Sequence, residues 1–313
     1  GRIGVILPTG LYSDFGTRSL REEFLFRGQL EFIYAFQNEK RVFTAAHHSF
    51  KQAAIFASRG GVTKEFRARF RIGVGDSPHS HEIPDDILGS DGGLTFTPES
   101  VRANSPKTMS LVELRTPRDL RIFEKIYANS VRIGDKAPGW EISYATEFHM
   151  TNDSKHFAPL EKWEKLGYKP DAFGRWIGPD GDVAIPLNEG RMIGQFDFCQ
   201  KGWVSGKGRT ATWREIAFID KQYAPQFLVS ETTYASKIDN SDGAKVVFMD
   251  VTSATNTRTF VGTVLSRIPG NHKAPSLTLD TRSVSDTLAL LGVCNSFTFD
   301  FMLRNRLAGT SLS

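Results

Sequence analysis

Cysteine and long apolar runs are scarce in this sequence, and each scarcity excludes a class of protein. Only Cys199 and Cys294 occur, far apart, so neither a disulfide framework nor a cysteine-based zinc site is predicted. No apolar run approaches the roughly 20 residues that cross a bilayer, and the first residues lack the pattern of a secretory signal. We therefore expect a cytoplasmic protein that does not enter a membrane.

The short motifs of several self-sufficient enzymes are also missing. No serine is flanked by glycines as in the nucleophile elbow of hydrolases, and Ser49 lacks such neighbours. The glycine- and lysine-rich KGWVSGKGRT does not follow the GxxxxGK[ST] frame of a phosphate-binding loop. The sequence predicts no complete active site of its own.

What is present describes a globular protein with a mild positive charge. The chain has 313 residues, of which 40% are hydrophobic and 24% are charged, and this favours about two folded domains. The net charge of +4 permits an acidic partner such as nucleic acid, but many unrelated proteins are equally basic. The placement of the charges along the chain, and not their sum, is what can indicate a nucleic-acid partner.

Residues 1–75 have the pattern of the closing part of a mixed α/β sheet. The β-branched run Arg2–Pro8 predicts a buried strand, and Asp14 is a candidate N-cap for a helix that stops at Gly28. Two more strands are predicted over Leu30–Phe36 and Ser49–Ala57. A strand, a helix and two adjacent strands fit the end of a sheet better than a complete domain.

Basic and apolar residues alternate in the segment from Arg59 to Arg71. The alternation predicts a strand with Phe66 and Phe70 on one face and arginines at positions 67, 69 and 71 on the other. Such an arginine face is ordinary on a solvated outer strand, so it carries no functional prediction.

The remainder of the chain divides into a connection and a β-rich region. Residues 76–138 begin with a stretch rich in Pro, Gly, Ser and Asp and continue into a helix predicted over Pro117–Ala128, so we expect a linker with a helical connection. Residues 139–313 show short strands with frequent turn residues and end in an apolar helical stretch, with Asp286 in its first turn.

Histidines raise the question of a metal site. His47 and His48, in the stretch VFTAAHHSF, are adjacent, and on a strand they would point to opposite faces and fail to chelate one ion. His79 and His81 have the more favourable i, i+2 spacing but lie in the polar linker without cysteines nearby. We predict no metal site.

A glycine-rich segment collects the clearest basic cluster. Glycines allow close approach of the backbone to a ligand, basic side chains neutralise phosphates, and tryptophans anchor or stack. The segment interleaves Trp203 and Trp213 with four basic residues, Lys201, Lys207, Arg209 and Arg214. A solvated hairpin with buried tryptophans explains the same composition, and both interpretations stay open.

Several segments, in order, resemble one family. They are GRIGVILPTGLYSDFGTRSLREEFL, QLEFIYAFQNEKRVFTAAHHSFKQAAIF, FHMTNDSKHF, PLNEGRMIGQFD, ATNTRTFVGTVL and LLGVCNSFTFDFMLRNRLAGTSL. Together they resemble the DNA adenine-N6 methyltransferases of type IIG restriction enzymes and related phage-defence methylases, over nearly the whole chain. The resemblance implies α/β followed by α+β: the closing part of a Rossmann-like methyltransferase sheet, then a β-rich target-recognition domain with a C-terminal helix.

The resemblance also implies a base-binding pocket. In these enzymes the target adenine is flipped out of the duplex and an aromatic side chain stacks on one of its faces. The loop that supplies this aromatic resembles ArgValPheThr here, which makes Phe43 the candidate and Phe50 the alternative. His47, His48 and Ser49 are candidates for the pocket rim, with packing and loop capping as the other interpretation.

The family's other catalytic elements are absent from this sequence. It contains no Asn-Pro-Pro-Tyr motif and no glycine-rich S-adenosylmethionine motif after a strand. The resemblance therefore implies that S-adenosylmethionine binds the parent protein and not this chain alone. We expect a piece of a longer protein, whose N-terminal methylase portion, with or without a nuclease, completes the enzyme.

Double-stranded DNA is the implied macromolecular partner. Lys201, Lys207, Arg209 and Arg214 would contact phosphates, while Arg258 of the AsnThrArgThr motif and the pair Asn152 and Asp153 would serve either DNA or the fold. Two rival functions stay open: a non-catalytic DNA-binding or scaffold module, and a β-rich module that binds a ligand such as a carbohydrate.

Overall fold

Two units make up the protein in the computed structural model, which describes residues 1–72, 76–78, 93–133, 140–238, 243–253, 256–307 and 311–312. The first unit comprises Gly1–Val131 with Met302–Gly309, and the second comprises Arg132–Phe301 with Thr310–Ser313.

A five-stranded sheet in the order β1-β3-β2-β4-β5 organises the first unit. Its strands are β1 Arg2–Pro8, β2 Gly28–Gln37, β3 Lys51–Arg59, β4 Phe66–Arg71 and β5 Leu94–Phe96. β3 is antiparallel to both β1 and β2, and β2 is parallel to β4. β1, β2 and β4 therefore run in one direction, while β3 and β5 run in the other.

The predicted alternation on β4 is confirmed. Phe66, Ala68 and Phe70 are buried, whereas the arginines between them are partly or fully exposed. Ala53, Ile55 and Ala57 follow the same period on β3, so one face of the sheet is apolar and covered.

The burial predicted for β1 is wrong. β1 lies at an edge of the sheet and pairs only with β3 among the described residues. Ile3 and Ile6 are 50% and 54% exposed. A run of β-branched residues indicates that a strand forms, but it does not indicate which position the strand takes in the sheet.

The helix predicted after β1 is broken into short pieces. The chain forms α1 Gly10–Ser13, a turn of 3-10 helix over Phe15–Thr17, α2 Arg18–Glu22 and a turn of π-helix over Glu23–Arg27. Asp14 has an extended backbone and its side chain caps no helical amide, contrary to the predicted N-cap.

The break is stabilised by the buried side chain of Arg21. Its guanidinium donates to the carbonyl oxygens of Leu11 at 2.8 Å, Asp14 at 2.7 Å and Thr108 at 2.5 Å. The carbonyls of Leu11 and Asp14, which a continuous helix would satisfy internally, are bonded here by the side chains of Arg21 and Thr17.

Residues 93–131 join the first unit, which differs from the predicted linker. β5 extends the sheet, and α3 Pro98–Asn104 and α4 Pro117–Ala128 follow it. Both helices begin with a capping box, the second between Thr116 and Asp119. The helix predicted over Pro117–Ala128 is confirmed with those bounds.

The second unit is built from short strands and helices. Its strands are β6 Ile142–Ala145, β7 Phe157–Pro159, β8 Lys169–Pro170, β9 Trp176–Ile177, β10 Val183–Pro186, β11 Lys201–Ser205, β12 Thr212–Glu215, β13 Phe227–Ser230, β14 Ala244–Phe248, β15 Gly262–Ser266 and β16 Ser276–Leu279. They form sheets in the orders β7-β13-β10-β9-β8, β15-β14-β16-β6 and β11-β12. Its helices are α5 Leu160–Lys165, α6 Glu231–Lys237 and α7 Val284–Cys294, with α8 Phe297–Arg304 after them.

The apolar C-terminal stretch forms two helices where one was predicted. Ser283 caps α7 by accepting from the Asp286 amide, so the predicted place of Asp286 in the first turn is confirmed. The chain breaks at Asn295, whose side chain pairs with the backbone of Gly262 on β15. Within the described part of the chain, no helix has both the length and the apolar character to cross a membrane.

A buried ion pair and its hydrogen bonds connect four segments of the second unit. Lys245 on β14 pairs with Glu147, and its ammonium donates to the Tyr234 hydroxyl at 2.8 Å. Glu147 also accepts from the Gly270 amide at 2.7 Å. Burial lowers the pKa of Lys245, while the Glu147 carboxylate opposes that shift. These contacts tie β14 to α6 and to the segments that contain Glu147 and Gly270.

Removing one member of this pair is expected to destabilise the second unit strongly. Lys245→Met leaves the Glu147 carboxylate buried without its cation, at an expected cost of about 3–5 kcal/mol in unfolding free energy. Urea unfolding followed by tryptophan fluorescence measures this unit, because all five tryptophans lie in it. Arg175→Met, which removes a partly exposed pair with Asp171, is the control and should cost at most about 1 kcal/mol. Equal losses of unfolding free energy in the two variants would contradict the stabilising role given to the pair of Lys245 and Glu147.

Candidate functional site

A closed loop connects β2 to β3 and carries the candidate stacking residue. It begins with the turn Asn38–Lys40, after which Arg41 adopts a left-handed conformation with φ 52°. The backbone N–H of Asn38 donates to the Phe50 carbonyl at 2.8 Å, so the two ends of the loop are joined.

The side chain of Asn38 fixes the interior of this loop. It is fully buried and its Nδ2 donates to the carbonyl oxygens of Phe43 at 2.8 Å and Ala46 at 2.9 Å. Its Oδ1 accepts from the Phe43 amide at 2.9 Å. One buried amide thus determines the backbone on both sides of Phe43.

Phe43 offers part of its ring to the outside. Its ring lies nearly parallel to that of the buried Phe36, with 6.1 Å between centroids and 23° between planes. The side chain remains 36% exposed. An aromatic ring that rests on a buried neighbour and is held by a fixed backbone can stack on a planar ligand.

The alternative aromatic, Phe50, is more exposed and less supported. It is 59% exposed, and the ring it contacts is that of His47, edge to face at 6.1 Å. Its amide donates to the His47 carbonyl at 3.0 Å. Of the two candidates, Phe43 has the firmer position.

The histidines of this loop pack against each other, and His47 caps a backbone amide of the loop. The segment is a turn and not a strand, so the rings of His47 and His48 lie side by side at 4.1 Å, contrary to the opposite faces expected on a strand. His47 Nδ1 forms a hydrogen bond with the Ser49 hydroxyl at 2.8 Å and lies 3.3 Å from the Ser49 backbone amide, which donates to it in a local capping arrangement.

No metal centre is found in the described ranges. They contain no cluster of three or more His, Cys, Asp or Glu side chains that could hold an ion. His79 and His81 lie outside the described residues.

The predicted basic cluster lies on the two-stranded ribbon β11-β12 of the second unit. Across it, Lys201 faces Glu215, Gly202 faces Arg214 and Trp203 faces Trp213. Residues directly opposite share a face, and neighbours along a strand alternate. Lys201 and Arg214 therefore point to opposite faces, and the four basic residues do not form one patch.

Lys207 and Arg209 lie together in the exposed turn of the ribbon. Gly206 and Gly208 adopt φ 79° and 55°, and a Cβ at Gly206 would meet the Thr210 carbonyl oxygen at 2.5 Å. The Trp203 indole and the Gln226 amide both donate to the Gly206 carbonyl at 3.1 Å, which anchors the turn. Neither Lys207 nor Arg209 forms an ion pair with any described residue, so both are available to an anion.

Arg258 is engaged inside the second unit. Its guanidinium donates to the Asn295 carbonyl, lies 3.7 Å from the Asp300 carboxylate and covers the Phe297 ring at 4.6 Å. The side chain is only 13% exposed. These contacts connect the AsnThrArgThr segment to α8 and leave little surface for the predicted DNA contact.

Asp153 likewise serves the fold. Its carboxylate accepts from the His149 amide and from the Lys237 ammonium, each at 2.8 Å. The backbone hydrogen bond from His149, followed by the contact with Lys237, lowers the pKa of this carboxyl. Asn152 is exposed, and its amide donates to His149 Nδ1 at 3.4 Å.

Sequence reasoning missed Asn38 and Glu189. The Glu189 carboxyl, in PLNEGRMIGQFD, has an oxygen that is buried without a hydrogen-bond partner among the described residues. Burial raises its pKa to about 7, against the opposing charge of Arg191. A polar residue directly after an apolar strand was the available signal for Asn38.

Comparisons with known proteins give limited matches. No protein-family model and no curated protein matches the chain. Among solved structures, the chain is similar to a modification subunit of a type I restriction enzyme from Vibrio vulnificus YJ016, with 19% identity over 32% of this chain and 23% of that one and a TM-score of 0.26. It is similar to the M protein of the type I restriction enzyme EcoKI, with 17% identity, coverages of 37% and 23% and a TM-score of 0.21.

A third similar structure is the type IIG restriction endonuclease BpuSI. The identity is 11%, the match covers 100% of this chain and 39% of that one, and the TM-score is 0.36. The chain thus spans between 23% and 39% of the length of these three proteins, all of which are restriction-modification proteins.

Loss of the Asn38 amide is expected to loosen the Phe43 loop. Asn38→Ala removes three side-chain hydrogen bonds and leaves buried backbone groups unpaired, at a cost of about 1–3 kcal/mol. Hydrogen exchange should become faster at the amides of residues 41–50. Asn129→Ala, which removes an exposed hydrogen bond to Lys125, is the matched control. Unchanged exchange in the loop of the Asn38 variant would show that other contacts hold it.

Proposed function

We propose that this chain is the DNA-reading part of a site-specific, S-adenosylmethionine-dependent DNA adenine-N6 methyltransferase, of a restriction-modification or phage-defence system. In this proposal it also contributes half of the pocket for the flipped adenine. The observation that carries it is the partly exposed ring of Phe43, held by the buried amide of Asn38.

A flipped base needs the kind of surface that Phe43 offers. An adenine removed from the duplex loses its stacking contacts, and an aromatic ring replaces them without requiring a hydrogen bond of fixed direction. The ring of Phe36 behind Phe43 and the fixed backbone on both sides limit its motion. Preorganisation of this kind reduces the entropy lost when the base binds.

The missing catalytic elements come, in this proposal, from a methylase portion of the same protein. That portion would supply the Asn-Pro-Pro-Tyr motif and the S-adenosylmethionine site. The position of β1 at an edge of the sheet, where β3 is its one partner among the described strands, supports such an arrangement, as do the exposed side chains of Ile3 and Ile6. An edge strand with exposed apolar side chains is suited to pairing with a further strand.

The ribbon of the second unit would place the duplex. Lys207 and Arg209, in the exposed turn, are the primary candidates for phosphate contacts, which set the register on DNA. Lys201 and Arg214 point to opposite faces of the ribbon, so the two side chains cannot both face the same DNA surface. Arg258 has no part in this step.

A non-catalytic DNA-binding or scaffold module is the main rival of this function. Both functions predict DNA affinity that depends on salt. Only the methyltransferase predicts that Phe43 affects a reaction rate.

Removing the turn charges should reduce the salt dependence of duplex binding. For Lys207→Ala/Arg209→Ala, the slope of log affinity against log salt should flatten by about 0.9 for each phosphate that the variant no longer neutralises. Lys162→Ala/Lys165→Ala removes the same charge from the exposed face of α5 and is the control. Fluorescence anisotropy with a labelled duplex, at several salt concentrations, gives the slope. An unchanged slope in the first variant would contradict the phosphate contacts, and salt-independent or absent binding by the unaltered chain would favour the ligand-binding module.

Phe43→Ala should impair methylation by the complete enzyme while duplex binding is largely retained. Stacking of a base on an aromatic side chain is worth about 1–3 kcal/mol, so kcat/KM should fall roughly 5-fold to 150-fold. Phe43→Trp should retain most of the rate, since it keeps an aromatic face. Phe15→Ala, at another exposed phenylalanine of the first unit, is the control. An unimpaired Phe43→Ala enzyme would refute the stacking role.

A further inference from the structure

Two adjacent apolar side chains project from the second unit into solvent. Phe218 and Ile219 are 92% and 91% exposed, more than any other large hydrophobic side chain in the described part of the chain. They lie on the single turn Phe218–Asp220, which follows the ribbon strand β12. Single exposed apolar residues are ordinary, but two together at the tip of a loop indicate a contact surface.

The loop that carries this tip is firmly attached at both ends. Before it, the Ile216 amide donates to the Gln200 carbonyl at 2.9 Å. After it, the Lys221 ammonium donates to Asp197 at 2.6 Å and to the Cys199 carbonyl at 2.9 Å, and the Cys199 thiol donates to the Gln222 carbonyl at 3.2 Å. The two ends of the loop that carries Phe218 and Ile219 are therefore fixed to the rest of the unit.

The charge around the tip selects the kind of partner. Residues 200–222, which include the ribbon and the tip, contain five basic residues and two acidic ones, and Lys221 is the one basic residue of the five that pairs with a described carboxylate, that of Asp197. Lys201, Lys207, Arg209 and Arg214 form no ion pair with any described residue. A polyanion with apolar surface between its charges fits this segment, and duplex DNA has that character, with stacked bases between phosphates.

We propose that Phe218 and Ile219 form a wedge that enters between base pairs of the DNA held by the ribbon. The inference rests on the proposed function and adds a deformation of the duplex to it. The phenyl ring would stack on an opened base step and the isoleucine would fill the adjoining space, as apolar wedges do in proteins that kink DNA. Phosphates near the wedge would be contacted by Lys207 and Arg209 from the ribbon turn, and by whichever of Lys201 and Arg214 lies on the face turned toward the DNA.

Unwinding of plasmid DNA tests the wedge without knowledge of the recognised sequence. The full chain is bound to relaxed closed-circular plasmid, topoisomerase I is added, and the linking number is read after the protein is removed. Insertion between base pairs unwinds the duplex, so the unaltered chain should leave the plasmid underwound. Phe218→Ala/Ile219→Ala should abolish that shift at protein concentrations where filter binding shows the plasmid saturated.

Two further variants and one further measurement complete the test. Phe218→Trp should retain the shift, and Phe173→Ala, at another exposed phenylalanine of the second unit, should leave it unchanged. Plasmid binding without unwinding by the unaltered chain would overturn the wedge and leave the proposed function intact, whereas absence of plasmid binding would overturn both. Sedimentation velocity that shows self-association abolished only in the double variant would assign the tip to a protein interface instead.

Discussion

One buried amide, that of Asn38, is the interaction on which the candidate base pocket depends. It uses both of its donor hydrogens and its acceptor oxygen on the backbone of a single loop. An unpaired polar group at that depth costs about 1–3 kcal/mol, so the loop and the amide stabilise each other. The orientation of the Phe43 ring follows from this backbone and from its contact with Phe36.

The second unit uses buried polar groups in a similar way. Lys245, Glu147 and Tyr234 connect a strand, a loop and a helix, and Arg258 with Asp300 connects a loop to the last helix. Pairs of this kind require a definite geometry, because a misplaced partner leaves a charge buried alone. The apolar groups proposed to contact DNA, by contrast, lie outside on anchored loops. Buried polar side chains thus fix particular loops within each unit, while Phe43, Phe218 and Ile219 keep part or most of their surface exposed.

Local patterns in the sequence predicted the elements whose causes are local. The helix Pro117–Ala128 follows from its capping residues and apolar period, and the alternation on β4 follows from the two-residue period of a strand. The edge position of β1 and the break at Asp14 were missed, because both depend on residues distant in sequence, such as Thr108 bonding Arg21. The candidate site divided in the same way. The sequence singled out the Phe43 loop, and the polar Asn38 directly after an apolar strand was a weak local signal for its clamp, whereas the burial of Arg258 depends on the distant Asn295 and Asp300.

The central claim is that the protein containing this chain methylates one adenine within one DNA sequence. Long-read sequencing that detects N6-methyladenine, applied to the DNA of cells with and without the gene, tests it most directly. The account predicts a single motif that is methylated at one adenine wherever it occurs, and only when the gene is present. Identical methylation in the two DNA samples, in cells that produce the folded protein, would contradict it.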